Sequence, residues 1–297
     1  MRRFRLFDVF TDRALAGNGL AVVLEAEGLS DAAMQAIARE FNLSGMVFVL
    51  PSENPAHTAR IRIFTPTVEL PFAGHPTVGV AVCLARERFD GPGEQDAVVV
   101  LEEAIGIVRC GVRLAAAYSF AEFDSPGLPM RAGQAASKEL IAAAVGLTPA
   151  EIGFENHVPG VWSAGAPFHF VPVRNMAAIS RAAVNRVAWE KAFAATSVYL
   201  YTRETEGHDH DFRARMFAPV MGIEEDPATG SAVVALAGPI QEFDAMPDGE
   251  HTAFIEQGYE MGRPSLIRLD MSVLGGALAN VRIGGKAVQF AEGVLAV

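Results

Sequence analysis

Two stretches of this chain echo one another. Arg62-Ile63-Phe64-Thr65-Pro66 returns as Arg215-Met216-Phe217-Ala218-Pro219, and His75-Pro76-Thr77-Val78-Gly79 returns as Asp226-Pro227-Ala228-Thr229-Gly230. The two offsets, 153 and 151 residues, nearly agree. Each copy then runs into small apolar residues, Val80 to Ala85 in the first and Ser231 to Ala237 in the second. A repeat of this period means duplicated domains rather than a solenoid. With 297 residues, each half is long enough to bury a core of its own.

Both copies read as a strand ending at Arg-x-Phe-x-Pro, a loop, a polar residue, a proline and an apolar helix. Pro76 and Pro227 suit the first helical position, and His75 and Asp226 the capping place before it. Both helices are apolar nearly all round, so each needs cover on every side. A sheet curled around a central helix would supply it. The start of a buried helix carries orphan N–H groups and partial positive charge. Two such starts facing each other across a domain cleft would hold an anion, a substrate carboxylate being the obvious guest. His75 and Asp226 would then oppose one another as titratable groups, with Gly74, Gly79, Gly230 and Ser231 allowing close approach. The same residues also suit plain capping and packing with no ligand.

Composition narrows the partners. There are 24 Lys and Arg against 35 Asp and Glu, a net charge of −11, which repels phosphate backbones and argues against nucleic acid. Cys83 and Cys110 sit among apolar neighbours without a metal spacing, so no disulfide framework, structural zinc or nucleophilic thiol is expected. The histidines His57, His157, His169, His208, His210 and His251 form no metal set, and His208-Asp209-His210 reads as a solvated loop. No signal peptide follows Arg2, Arg3 and Arg5, and the charge-free run from His157 to Val173 is broken by prolines and glycines. The expectation is a cytoplasmic protein that meets no membrane. Neither GxGxxG nor GxxxxGK[ST] is present.

Periodicity predicts strands at Phe4–Phe10, Leu20–Leu24, Ala59–Phe64, Phe212–Phe217, Leu266–Leu269 and Ala287–Phe290, the stretches 59–64 and 212–217 alternating apolar with polar. A hairpin is expected from Val98–Leu101 and Ile105–Val108. Ser30 caps a helix whose Met34, Ile37, Ala38 and Phe41 share one face. Further helices are expected at Leu140–Val145, after the capping box Thr148-Pro149-Ala150-Glu151, and as one run from Ser180 to Phe193. Phe123 to Pro129 reads as a linker. The fold class is α+β with two pseudo-symmetric domains. The first covers 1–125 and is completed by about 283–297, and the second covers 126–282.

Several motifs resemble the phenazine-biosynthesis isomerase family, PhzF-like. They are Gly17-Asn18 with Ala21-Val22-Val23, Asn42-Leu43-Ser44, Phe64-Thr65-Pro66, and Glu69-Leu70-Pro71-Phe72-Ala73-Gly74-His75-Pro76-Thr77. Glu225-Asp226-Pro227-Ala228-Thr229-Gly230-Ser231-Ala232 and Gln257-Gly258 with Met261-Gly262-Arg263-Pro264-Ser265 complete them in order. The resemblance implies the diaminopimelate-epimerase and proline-racemase fold, a homodimer and a reaction without cofactor. It implies a cleft between two similar domains where Asn18, Ser44, Gly74, Gly230 and Ser231 hold a small carboxylate while His75 and Asp226 handle the proton. His75 and Asp226 stand where racemases of this fold carry thiols. One departure is chemical. The family pattern follows Asn-Leu-Ser with its acid/base glutamate, and this chain has Gly45. Losing a positioned base costs about 10²–10⁴-fold. Two readings follow: an isomerase or epimerase using His75 and Asp226, with Glu69 a further candidate, or a member that binds its carboxylate without turnover.

Overall fold

The computed structural model describes residues 1–89 and 93–297. It divides into two compact units, one of Met1–Pro126 with Ile283–Val297, the other of Gly127–Arg282.

The strands of the first unit are β1 (Arg2–Val9), β2 (Asn18–Val23), β3 (Gly45–Leu50), β4 (Ala59–Phe64), the short β5 (Glu69–Leu70), β6 (Gln95–Glu103), β7 (Gly106–Leu114) and β8 (Ser119–Asp124). Its helices are α1 (Asp31–Phe41) and α2 (Gly74–Arg88). The chain's last strand, Ala277–Leu295, lends its closing stretch to this unit. That stretch pairs antiparallel with β1, and β1 with β2. β2 and β3 run parallel, β3 and β4 antiparallel, β4 and β6 parallel, and β6, β7 and β8 antiparallel. A pairing of β8 with the last strand closes the ring. Inside it lies α2, buried from Gly74 to Cys83 and in contact with β1, β2, β3, β6, β7 and β8. An apolar helix needs this enclosure, because any face turned to water would forfeit roughly 25 cal/mol per Å². Outside the ring, α1 lays Met34, Ile37 and Ala38 on Met46, Phe48 and Phe64. Its cap is Ser30, which accepts from the Ala33 N–H.

In the second unit the order is β9 (Met130–Gly133), α3 (Lys138–Val145), β10 (Gly160–Ser163), β11 (Pro167–Pro172), α4 (Met176–Arg181), α5 (Arg186–Phe193), β12 (Ser197–Thr202), β13 (Phe212–Ala218), β14 (Ile223–Asp226), α6 (Gly230–Asp244), β15 (Gly249–Gln257), β16 (Ser265–Leu274) and the start of β17 (Ala277–Leu295). The sheet runs β9-β10-β11-β12-β13-β15-β16, with only the β11–β12 and β13–β15 pairs parallel. It curls so that β9, β10, β11 and β16 all touch α6. On its outer side Ile141, Val145, Trp189 and Phe193 pack on Val198 and Leu200.

Four expectations change. The run from Ser180 to Phe193 is not one helix: α4 stops at Arg181, and Asn185 opens α5 by accepting from the Ala188 N–H. The capping box at Thr148 forms, but the turn it opens is a three-residue 3-10 helix. β13 is buried on both faces, so its alternation does not mark a wet side. Arg213 and Arg215 go inside because Glu256, Glu260 and Glu225 meet them there. Finally, neither His75 nor Asp226 is a helix cap. α2 starts at Gly74 after Ala73, which places His75 and Pro76 within the first turn. α6 starts at Gly230 after Thr229, while Asp226 pairs with Met216 in the β-ladder. Pro76 costs nothing inside a first turn, whose N–H groups have no helical partner.

Candidate active site

In the first unit, five of the expected residues converge. Asn18 opens β2, Gly45 opens β3 at its side with Ser44 just before it, and the parallel β2–β3 pairing brings them to the start of α2. The Ser44 hydroxyl donates to Asn18 Oδ1 at 2.7 Å, and Asn18 Nδ2 faces His75 Nδ1 at 3.4 Å. His75 is 6 % exposed, and its Nε2 is buried with no hydrogen-bond partner among the described residues. Burial pushes its pKa down to about 3, so the imidazole is neutral at physiological pH.

Gly45 lies directly against this ring. A Cβ there would stand 2.9 Å from His75 Cε1 and 3.0 Å from Pro76 Cγ, and closer still to Nε2. The imidazole therefore fills the space in which a side chain at position 45 would begin. Gly74 is the first residue of α2, buried and immediately before His75. Glu69, by contrast, spends its carboxylate on Arg62, at 2.7 and 2.6 Å.

The second unit holds the other three. Asp226 is buried at the end of β14, where its Oδ2 accepts from the Thr229 hydroxyl at 2.6 Å. Gln257, wholly buried at the end of β15, locks that loop. Its Nε2 donates to the Asp226 carbonyl at 2.7 Å and to Thr229 Oγ1 at 3.0 Å, while its Oε1 accepts from the Thr229 N–H and from Tyr199. Burial and the Asp226 charge both hold the Tyr199 phenol in its neutral form. Gly258 follows with φ +77, where a Cβ would strike the carbonyls of Pro227 and Arg263. Ser265 donates to the Pro227 carbonyl at 2.9 Å. The Gln-Gly and Arg-Pro-Ser motifs thus form the bracket that seats Asp226. Gly230 and Ser231 open α6, Gly230 buried and Ser231 half-buried.

Sequence reasoning missed two arrays. Arg213 and Arg215 with Glu225, Glu256 and Glu260 form a buried ion network, whose only sequence signal was charge inside an apolar strand. Glu155, His157 and Asp244 converge closely enough to ligate a metal, but the Arg203 guanidinium already bonds Glu155 and Asp244. His157 is satisfied as well, by Tyr201 at 2.9 Å and Asp244 at 3.0 Å. A cation placed there would meet a resident one. Cys83 and Cys110 are buried free thiols. No helix among the described residues is long and apolar enough to cross a membrane.

Comparison with known proteins gives one answer. Residues 7–293 match the family described as phenazine biosynthesis-like protein. The chain is 53 % identical to a protein of Mesorhizobium japonicum named an uncharacterized isomerase, over 99 % of this chain and 98 % of that one. It is 33 % identical to the trans-2,3-dihydro-3-hydroxyanthranilate isomerase of Pseudomonas aeruginosa, with 99 % of each covered. A crystal structure of a PhzF-family phenazine biosynthesis protein from Bacillus anthracis superposes with TM-score 0.88 at 26 % identity, covering 99 % of both chains.

Proposed function

Since the chain belongs to the phenazine biosynthesis-like family, whose relatives above are named isomerases, we propose that it is a cofactor-independent isomerase that moves a proton on a small carboxylated metabolite. The observation that carries this reading is the His75 imidazole, buried in the first turn of α2, oriented through Asn18 and Ser44, and occupying the place beside Gly45.

In this reading the substrate carboxylate is drawn to the N–H groups at the start of α2, by Gly74, where helix partial charge favours an anion. Asn18 and Ser44 orient His75 and border the substrate. The ligand-free imidazole is a weak base because burial disfavours its cation. An arriving carboxylate reverses that penalty, since a nearby negative charge favours the imidazolium. Asn18 Nδ2 is a donor, so the neutral ring carries its hydrogen on Nε2 and its lone pair on Nδ1; His75 then takes the proton at Nδ1 when substrate is present and returns it to a second carbon. Asp226, held by Thr229, is the candidate proton-handling group of the second unit. The substrate class is a small ring or chain acid with an acidic C–H. trans-2,3-Dihydro-3-hydroxyanthranilate, the substrate in a relative's name, is the first compound to try. A cytoplasmic homodimer is part of the same proposal.

Gly45 favours a second reading, a protein that binds its carboxylate without turnover. Incubation in deuterated water with a panel of amino and hydroxy acids separates the two. Incorporation of deuterium by the wild-type chain supports the isomerase. Binding without incorporation, together with isomerase activity gained by Gly45→Glu, would establish the binder.

A further inference from the structure

Glu103 is the last residue of β6, only 8 % exposed, and it meets α2 one turn into the helix. Thr77 Oγ1 lies 2.9 Å from Glu103 Oε1 and also 2.9 Å from the Ala73 carbonyl, the residue immediately before α2. A threonine hydroxyl has one hydrogen, and both neighbours are oxygens that accept. Both contacts are hydrogen bonds only if the second proton comes from the carboxyl group. Glu103 then donates to Thr77, and Thr77 donates to Ala73. The other carboxyl oxygen, Oε2, is buried with no partner among the described residues, a place where an ionised oxygen would be costly.

We propose that Glu103 is a positioning residue for the start of α2, a carboxylic acid that keeps its proton and uses it to lock the Ala73–Thr77 turn in which His75 sits. The partial positive charge at the helix start by itself favours a carboxylate; the burial of an unpartnered Oε2 opposes it and outweighs it. The surroundings agree. Burial pushes the Glu103 pKa up to about 8, against a smaller opposing effect of the Thr77 hydroxyl. From β7 the titratable neighbour is the Cys110 thiol, itself pushed up by burial and by Glu103. From β4, Arg60 and Arg62 share a cavity wall with Glu103 but are paired with Glu53 and with Glu69 and Asp31. The adjacent Glu102 is bound by His57 and by the N–H groups of Glu53 and Asn54. On α2 the group in contact is the Thr77 hydroxyl, while His75, two residues earlier, lies on another side of the same turn against Gly45 and Asn18.

The test reads protonation and position separately and needs no substrate. Isotope-edited infrared spectroscopy of the full chain, with Glu103→Gln to assign the band, should show a protonated carboxyl at pH 6 that titrates near pH 8. The ¹⁵N resonances of the His75 imidazole should shift over the same transition in wild type and stay still in Glu103→Gln, whose amide N–H can still bind Thr77. A carboxylate already ionised at pH 6, read on the wild-type band alone if the variant fails to fold, overturns the proposal. So does a His75 signal indifferent to that transition. Because neither readout involves turnover, the proposal can fail while the isomerase reading stands, and the reverse.

Discussion

Gly45→Ala is the sharpest probe of the arrangement at the start of α2. The backbone at residue 45 is not in the left-handed region, so alanine is conformationally allowed there. On backbone grounds alone the change should stabilise by about 0.4–1 kcal/mol through the unfolded state. The added methyl, however, meets Cε1 at 2.9 Å and Pro76 Cγ at 3.0 Å, with Nε2 nearer still, and Pro76 belongs to a helix enclosed by the barrel. Overpacking of this kind costs about 1–3 kcal/mol. The net expectation is a destabilisation of roughly 0.5–2 kcal/mol. Gly111→Ala is the companion, since its nearest contact is Glu122 Cγ at 3.8 Å and it should gain the backbone term unopposed. Urea unfolding of both variants, and of Gly45→Ala combined with His75→Ala, measures the steric term as a coupling energy. The penalty should fall when the imidazole is removed, leaving only the Pro76 contact. A Gly45→Ala variant as stable as Gly111→Ala, or a penalty undiminished in the double variant, would refute the contact between residue 45 and His75.

Three further outcomes are expected. The folded pKa of Glu103, about 8, lies above its ordinary 4.5, so its stability contribution is whole below pH 4.5 and is lost as pH rises through 8. Glu103→Gln should therefore gain on wild type as pH rises, by up to about 3–5 kcal/mol at pH 9, and urea midpoints at pH 5, 7 and 9 that move in parallel would contradict this. Arg213→Met should cost about 3–5 kcal/mol, because it strips a cation from the wholly buried Glu256, and a thermal or urea shift under 1 kcal/mol (about a fifth of that range) would mean the remaining donors suffice. Cys83, its thiol pushed up to about 12 by burial, should resist alkylation at pH 8 until the protein unfolds, and rapid labelling of native protein would place it nearer solvent than its packing allows.

What the sequence made legible was local or repeated. Ser30 and the apolar stripe behind it define α1, and the alternation at 59–64 gives β4 from Ala59 to Phe64. The duplicated Pro-to-apolar segments mark α2 and α6 because a helix with no polar face can only be enclosed. What stayed hidden depends on partners far along the chain. Arg213 and Arg215 look like the wet side of a strand until Glu256 and Glu260, more than 40 residues on, supply the buried charge. Asp226 looks like a cap, but the ladder contact with Met216 and the Thr229 hydroxyl claim it first. The same holds at Gly45: a glycine in sequence shows a missing side chain, and only the fold shows that His75 has taken its space. Glu103 gave no sign at all, since its proton follows from the geometry of two oxygens around one hydroxyl.

The central proposal stands or falls on proton exchange at His75. Wild type and His75→Ala, each confirmed folded, should be compared for solvent-deuterium incorporation into whichever small carboxylate the wild type labels, trans-2,3-dihydro-3-hydroxyanthranilate first. A drop of about 10²–10⁴-fold in the variant is the expected result. Equal exchange by both proteins would remove His75 from the chemistry and the proposed mechanism with it.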